Sequence, residues 1–263
     1  MRKFFTILVC RLAYFAGHMI GRGSSLPGEI ALKMYPDILS KIRLPDMVIA
    51  VTGSNGKTST VEMITHILQK QGKRVISNKE GSNLDCGIAA VILSNCTLGG
   101  RFNGDVLVLE TDERYAKLTY RYFSPTHYVI TNLYRDQLTR NGHPEWVYEA
   151  IRESVTDDCT LILNADDPLI SQLGREHKNV VWFGMDKQSF STSENTSVYD
   201  DGAFCPVCKS RMRYNYRHYN HIGDYICDSC GHQKHQTAFT VTNADLDNGV
   251  ITVNGKYDIT LSF

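Results

Sequence analysis

The stretch Met47–Leu68, MVIAVTGSNGKTSTVEMITHIL, leaves this chain few folds to choose from. Met47 to Val51 are mostly apolar, the pattern of a buried parallel strand. Thr52-Gly53-Ser54-Asn55-Gly56-Lys57-Thr58-Ser59 follows as a turn, and Val61, Ile64, Ile67 and Leu68 then recur at helical spacing. Strand, glycine turn and helix in that order are the setting of a phosphate loop. Gly53 and Gly56 let the backbone approach an anion, and amides from Ser54 to Ser59 at the helix N-terminus point at it. Lys57 adds positive charge toward β- and γ-phosphates, and the Thr58 hydroxyl suits Mg²⁺. The loop is short: only Ser54 and Asn55 separate Gly53 from Gly56, against four residues in the common pattern. The plain alternative is a tight strand-to-helix turn with a capping Ser or Thr.

Around this stretch apolar strands alternate with amphipathic helices. Strands are expected at 47–51, 74–77, 105–110, 127–131, 160–164 and 180–184, and helices at 58–71, 84–95, 143–156 and 167–176. This pattern predicts an α/β fold with a doubly wound parallel sheet. Ligands bind beyond the carboxyl ends of such strands, so the functional loops should follow Val51, Leu109 and Ile130. Glu110 ends one strand in Glu110-Thr111-Asp112-Glu113 and is placed to hold Mg²⁺, although Asp112 and Glu113 can do the same. Asn132, Arg135 and Asp136 follow the next strand and face the same cleft. Asp167-Pro168 reads as a helix start, with Asp167 as a structural cap.

Beyond Gly184 the composition shifts to a polar linker and then to Cys205-Pro-Val-Cys208 and Cys227-Asp-Ser-Cys230. Two Cys-x-x-Cys knuckles eighteen residues apart fit a tetrahedral Zn²⁺ site. The segment around them, about 203–235, has too little apolar material to fold unaided, so metal would supply folding free energy. A redox dithiol needs only one pair. The other four of the eight cysteines are scattered, which argues against a disulfide framework and for a reducing compartment. Arg211, Arg213 and Arg217 alternate with tyrosines between the knuckles. A solvated ribbon face or a protein contact is the default there, and no nucleic acid is expected. Formal net charge is zero, so no global field favours an acidic partner. Val250–Val253 and Tyr257–Phe263 flank Asn254-Gly255, the signature of a terminal β-hairpin.

Residues 1–45 form an N-terminal helical segment with seven Lys or Arg against Glu29 and Asp37. Phe4, Leu8, Leu12, Phe15 and Met19 share one helical face. That face either packs on the main domain, 46–263, or rests on an anionic membrane surface. The apolar run after Arg2-Lys3 is broken by Arg11 and is too short to span a bilayer. An uncleaved cytoplasmic start is expected.

Taken together, these motifs resemble the central ATPase domain of the Mur ligases, over about Met47 to Met185. The family's phosphate loop shares the two-residue gap. Gly81-Ser82-Asn83-Leu84 is similar to its Asn-bearing loop near the nucleotide, and Glu110 falls where the family has a Mg²⁺-binding glutamate. Thr131-Asn132-Leu133 with Arg135-Asp136, and Asn164-Ala165-Asp166-Asp167, resemble two further signatures. Two departures narrow the match: Gln137 replaces a usual histidine, and no lysine occurs between Lys117 and Lys178 where amino-acid-adding members often carry a carbamylated one. With the four-cysteine insertion, they resemble an amidating, glutamine-hydrolysing branch. That resemblance implies ATP-dependent phosphorylation of the D-glutamate α-carboxyl in the lipid II stem peptide. Ammonia from a GatD-type glutaminase subunit then gives D-isoglutamine. Lys57 and Glu110 would be the catalytic pair, with Asn83 beside the nucleotide and Thr58 and Glu110 on Mg²⁺. The family's C-terminal ligase domain is absent from this chain, so nucleotide and Zn²⁺ binding are expected but not amidation unaided. The rival readings are an amino-acid-adding or folylpolyglutamate-type ligase, and a non-enzymatic nucleotide-binding scaffold.

Overall fold

The structure, a computed structural model, describes residues 1–19, 25–78, 83–134, 144–195 and 200–260. The chain divides into two compact units, Met1–Thr131 with Glu149–Thr160 and Asn132–Tyr148 with Leu161–Phe263.

The first unit opens with helices α1 (Arg2–Met19) and α2 (Leu26–Met34). It then alternates through β1 (Met47–Thr52), α3 (Lys57–Lys70), β2 (Val75–Ser77), α4 (Asp85–Ser94), β3 (Val106–Glu110), α5 (Ala116–Tyr120) and β4 (His127–Ile130). These strands pair in the order β4-β1-β3-β2, all parallel. β3 is buried along its whole length, which is why it shows no polar alternation. In the parallel register Val51 stands beside Glu110. The loops after β1 and β3 therefore leave the same end of the sheet, and that places the candidate site.

α4 is buried from Gly87 to Leu93. α2 crosses it so closely that a Cβ on Gly28 would lie 1.8 Å from the Cys86 carbonyl oxygen. Only glycine fits that crossing. Helix α5 is absent from the sequence reading; five residues give too little periodicity to detect. Of the two readings of the apolar face of α1, packing on the domain does not hold. Thr6, Ile7 and Cys10 are buried, whereas Phe4, Leu12, Phe15 and Met19 are exposed. In α3, likewise, Val61 and Thr65 are buried and Ile67 is exposed.

The chain passes between the units within α6 (Pro144–Arg152) and at the start of β5 (Thr160–Asn164). In the second unit β5 pairs with β6 (Val180–Met185), and β6 with β9 (Phe239–Asp245), both in parallel. β10 (Val250–Val253) and β11 (Tyr257–Thr260) extend this sheet antiparallel. Asn254 and Gly255 connect them at φ 53° and 63°. Between β6 and β9 the chain makes a separate antiparallel pair, β7 (Arg213–Tyr219) with β8 (Ile222–Ile226). α7 (Pro168–Gly174) starts at Asp167, whose carboxylate accepts from the amides of Leu169 and Ile170 at 2.9 and 3.2 Å. Asp167 is thus the structural cap its sequence context indicates.

Candidate functional site

Between β1 and α3 the backbone turns through Gly53 at φ 130° and Gly56 at φ 81°. Gly56 is the N-cap residue of α3 and supplies no side-chain cap. The first-turn amides of a helix have no partner inside it, so this end carries the partial positive charge that attracts anions. Ser54, Asn55 and Gly56 form the loop, Lys57 is the first helical residue, and Thr58 and Ser59 are exposed in the first turn. Thr131 ties the loop from the end of β4, donating to the Asn55 carbonyl at 2.8 Å.

Lys57 Nζ folds back over the loop, donating to the Gly53 carbonyl at 2.6 Å and to Glu113 Oε1 at 2.8 Å. Thr58 Oγ1 donates to Glu110 Oε2 at 2.8 Å. Asn83 Nδ2 reaches Glu110 Oε1 at 3.4 Å. The three carboxylates at the end of β3 and just beyond it, which the sequence leaves interchangeable, are separated by these contacts. Glu110 faces Thr58, Glu113 faces Lys57, and Asp112 accepts from the Arg114 amide at 3.0 Å. All three are buried. Burial pushes the Glu113 carboxyl above its ordinary range, against the opposing pull of Lys57.

Asn78 is a residue that sequence reasoning missed. Its amide exchanges two hydrogen bonds with the backbone of Glu110, from Nδ2 to the carbonyl at 2.7 Å and from the Glu110 amide to Oδ1 at 2.8 Å. It fixes the strand end that carries the carboxylate. A lone Asn after a short strand gives no signal of this in sequence.

Thr58 and Glu110 fit a divalent cation. Their oxygens converge beside the start of α3, and a hydroxyl and a carboxylate are the hard oxygen donors that Mg²⁺ takes. Asn132 lies in the second unit. Arg135, Asp136, Gly81 and Ser82 lie outside the described residues.

In the second unit the four knuckle sulfurs lie within 4.8 Å of one another. Cys205 and Cys230 are 3.6 Å apart, and Cys208 and Cys227 3.4 Å. A tetrahedron of thiolates at Zn–S near 2.3 Å has edges of about 3.8 Å, so the donor set fits Zn²⁺. Burial pushes the Cys205 thiol up to about 12, whereas a hydrogen bond with Ser210 brings exposed Cys208 down to about 6. Two of the three arginines between the knuckles are engaged within the unit. Arg213 pairs with Asp228 at 3.0 Å, and Arg217 with Asp200 at 3.1 Å while lying over the Tyr214 ring. A cavity of about 480 Å³ opens at the carboxyl ends of β5 and β6, lined in part by Asn164, Asp166, Met185 and His218. There Asp166 meets Lys234 at 2.7 Å.

A glycine turn opening a helix, with a lysine and a Thr–Glu pair at the carboxyl end of a parallel sheet, defines a phosphate-binding α/β protein. Residues 51–225 match the family model of the Mur ligase middle domain, and the chain belongs to that family. It is 32% identical over 267 residues to the MurT subunit of lipid II isoglutaminyl synthase (glutamine-hydrolysing) from Staphylococcus aureus strain COL, covering 100% of this chain and 60% of that protein. The subunit of the same name from Streptococcus pneumoniae is 31% identical over 238 residues, 90% of this chain and 52% of that protein. The chain thus spans 60% or less of these relatives' length. Among solved structures, a pseudomurein peptide ligase type C from Methanothermus fervidus shares the fold at a TM-score of 0.66 and 24% identity, over 87% of this chain and 44% of that one.

Proposed function

We propose that this chain is the nucleotide-binding part of an ATP-dependent carbon–nitrogen ligase that amidates the D-glutamate α-carboxyl of lipid II. The observation that carries the reading is the pairing of Thr58 with Glu110 and of Lys57 with Glu113 at the uncapped start of α3. The names of the relatives supply the substrate class. A carboxylate is a poor electrophile. Phosphoryl transfer from ATP to the α-carboxyl oxygen makes an acyl phosphate and ADP. Ammonia then attacks the carbonyl carbon and inorganic phosphate leaves, giving D-isoglutamine. Gly53 to Ser59 cradle the phosphates with backbone amides, and Lys57 stabilises the charge on the group in transfer. Thr58 and Glu110 would hold Mg²⁺, which neutralises phosphate charge when bound, and Asn83 steadies that carboxylate from beside the nucleotide. Lys57 and Glu110 are the catalytic residues. No side chain needs to act as a nucleophile. A GatD-type glutaminase subunit supplies ammonia on the cytoplasmic side, where ATP is available. The four cysteines hold a structural Zn²⁺.

The test uses the full-length protein with its glutaminase subunit, lipid II, glutamine and ATP. Magnesium-dependent ADP formation should accompany conversion of the acceptor to its amide by mass spectrometry. ATP consumption that ignores the lipid acceptor, or amidation that survives Lys57→Ala, would reject the reading.

A further inference from the structure

Helix α1 is turned the wrong way round for a helix that ends its folding on this protein. Its inner face is Thr6, Ile7 and Cys10, all fully buried, and it packs against α2 and α4. Its outer face is the more apolar one. Phe4 and Phe5 are exposed, and Leu12, Phe15 and Met19 expose 61, 68 and 74% of their surface. At 100° per residue these five fall within an arc of roughly 100°. Exposed apolar patches of this kind on an otherwise packed domain mark interaction sites.

The charges select the partner. Helix α1 carries Arg2, Lys3 and Arg11 and no acidic residue. Arg11 sits at the edge of the apolar arc and is exposed. Glu29 in neighbouring α2 is paired with Lys33 at 2.7 Å, so its charge is offset locally. No helix among the described residues is long and apolar enough to cross a membrane. Arg2 is engaged with the Met34 carbonyl and Lys3 lies toward the packed side, so Arg11 is the cation at the edge of the arc. An aromatic-rich apolar face with an arginine at its edge and no carboxylate on the helix matches the interfacial mode of membrane binding. We propose that the outer face of α1 docks on an anionic phospholipid surface, with the Phe and Leu side chains in the acyl boundary and Arg11 at the headgroups. A docking surface of this kind goes beyond the amidation reading and does not rest on it.

The experiment is vesicle flotation of the full-length protein. It compares vesicles of phosphatidylcholine alone with vesicles also containing phosphatidylglycerol, both free of lipid-linked peptide. The wild type should float with the anionic vesicles and be released as salt is raised. Leu12→Glu with Phe15→Glu should lower the bound fraction about tenfold or more, since binding scales with buried apolar area. Arg11→Glu should weaken binding to anionic vesicles only. Because these side chains are exposed, the variants should keep the wild-type unfolding midpoint and ATP binding. Failure of the wild type to float, or undiminished flotation of the double variant, would overturn the proposal. So would a double variant that unfolds earlier, loses self-association or releases the glutaminase subunit without lipid, because a protein surface would then cover this face. A negative result leaves the amidation reading standing, since the vesicles contain no acceptor.

Discussion

Lys57 Nζ lies 2.8 Å from Glu113 Oε1, and both side chains are largely shielded, 16 and 4% exposed. The same ammonium donates to the Gly53 carbonyl. The cation of the phosphate loop is therefore held across the loop by a carboxylate from the end of the neighbouring strand. Removing one member of a shielded pair leaves the other charge uncompensated, which costs far more than losing a surface pair. Lys57→Ala should lower unfolding free energy by ~3 kcal/mol and ATP turnover by about 10²-fold or more. Adding Glu113→Gln should restore most of the stability and none of the turnover, because only the buried charge is relieved. Urea denaturation and steady-state ADP formation read the two effects separately. A double variant as unstable as the single one would dissolve the pairing argument.

Glu113 also sets a pH signature. Burial, opposed by Lys57, raises its folded-state pKa above the ordinary value of 4.5. A carboxyl raised on folding binds its proton more tightly in the native state. Its contribution to stability is complete below pH 4.5 and is lost as pH rises through the raised folded value. The stability of wild type minus that of Glu113→Gln should therefore decline as pH rises above 4.5. Paired denaturation curves across the acid range measure the difference. A gap that widens upward instead would mean that the Lys57 pairing dominates and that the folded pKa is depressed.

Asn78 makes two hydrogen bonds to the Glu110 backbone, both buried. Asn78→Ala leaves a carbonyl and an amide without partners, at about 1–3 kcal/mol for each such group. A total loss near 3 kcal/mol is expected. The Glu110 carboxylate would also lose its fixed direction, and displaced ligand supports typically cost about 10–100-fold in metal affinity. Titrating Mg²⁺ against turnover should show a raised metal requirement, while affinity for nucleotide without metal changes much less. Equal losses with and without Mg²⁺ would reduce Asn78 to a purely structural role.

How much of this was legible beforehand differs by element. The sheet showed itself because β3 is buried throughout and reads as an unbroken apolar run from Val106 to Leu109. The phosphate loop was legible because glycine, lysine and threonine sit at fixed offsets along the chain. The partners of the three carboxylates were not, since Lys57–Glu113 spans 56 residues and depends on register. The outward face of α1 stayed open in the sequence for another reason. Periodicity shows which residues share a face, not which face meets the protein, and the less apolar side of α1 is the one that packs. Asn78 left no trace because its role lies in hydrogen bonds to backbone, which any sequence can offer.

Gly56 adopts φ 81° at the start of α3, and an added Cβ there would meet nothing within 4 Å. The requirement for glycine is conformational, not steric crowding. Gly56→Ala should cost roughly 1–2 kcal/mol, the penalty of a left-handed residue with a Cβ, and Gly56→Asn less, because Asn enters that region more readily. ATP affinity should follow the same order, since a distorted turn tilts the amides away from the phosphates. Isothermal titration with ATP and Mg²⁺ checks the ranking. An Ala variant that binds as well as the wild type would mean the loop amides are not the phosphate cradle.

The four-cysteine cluster brackets the β7–β8 hairpin. The apolar core of this hairpin is small: Cys205, Met212, Tyr225 and Cys227, with Tyr214 against it. So few buried side chains offset little of the entropy of ordering the segment, and a bound metal would supply the rest. The purified protein should carry one equivalent of zinc by atomic emission, and Cys227→Ser should abolish it. Chelation should raise hydrogen exchange across Arg213–Ile226 and expose Tyr225, which is 1% exposed in the structure. Zinc displaces thiol protons, and burial holds the Cys205 proton up to about 12. Affinity should therefore fall steeply as pH is lowered, several protons being taken up for each metal released. A chelated protein with unchanged exchange in Arg213–Ile226 would show that the hairpin stands on its side chains alone, and the four thiols would then need another explanation.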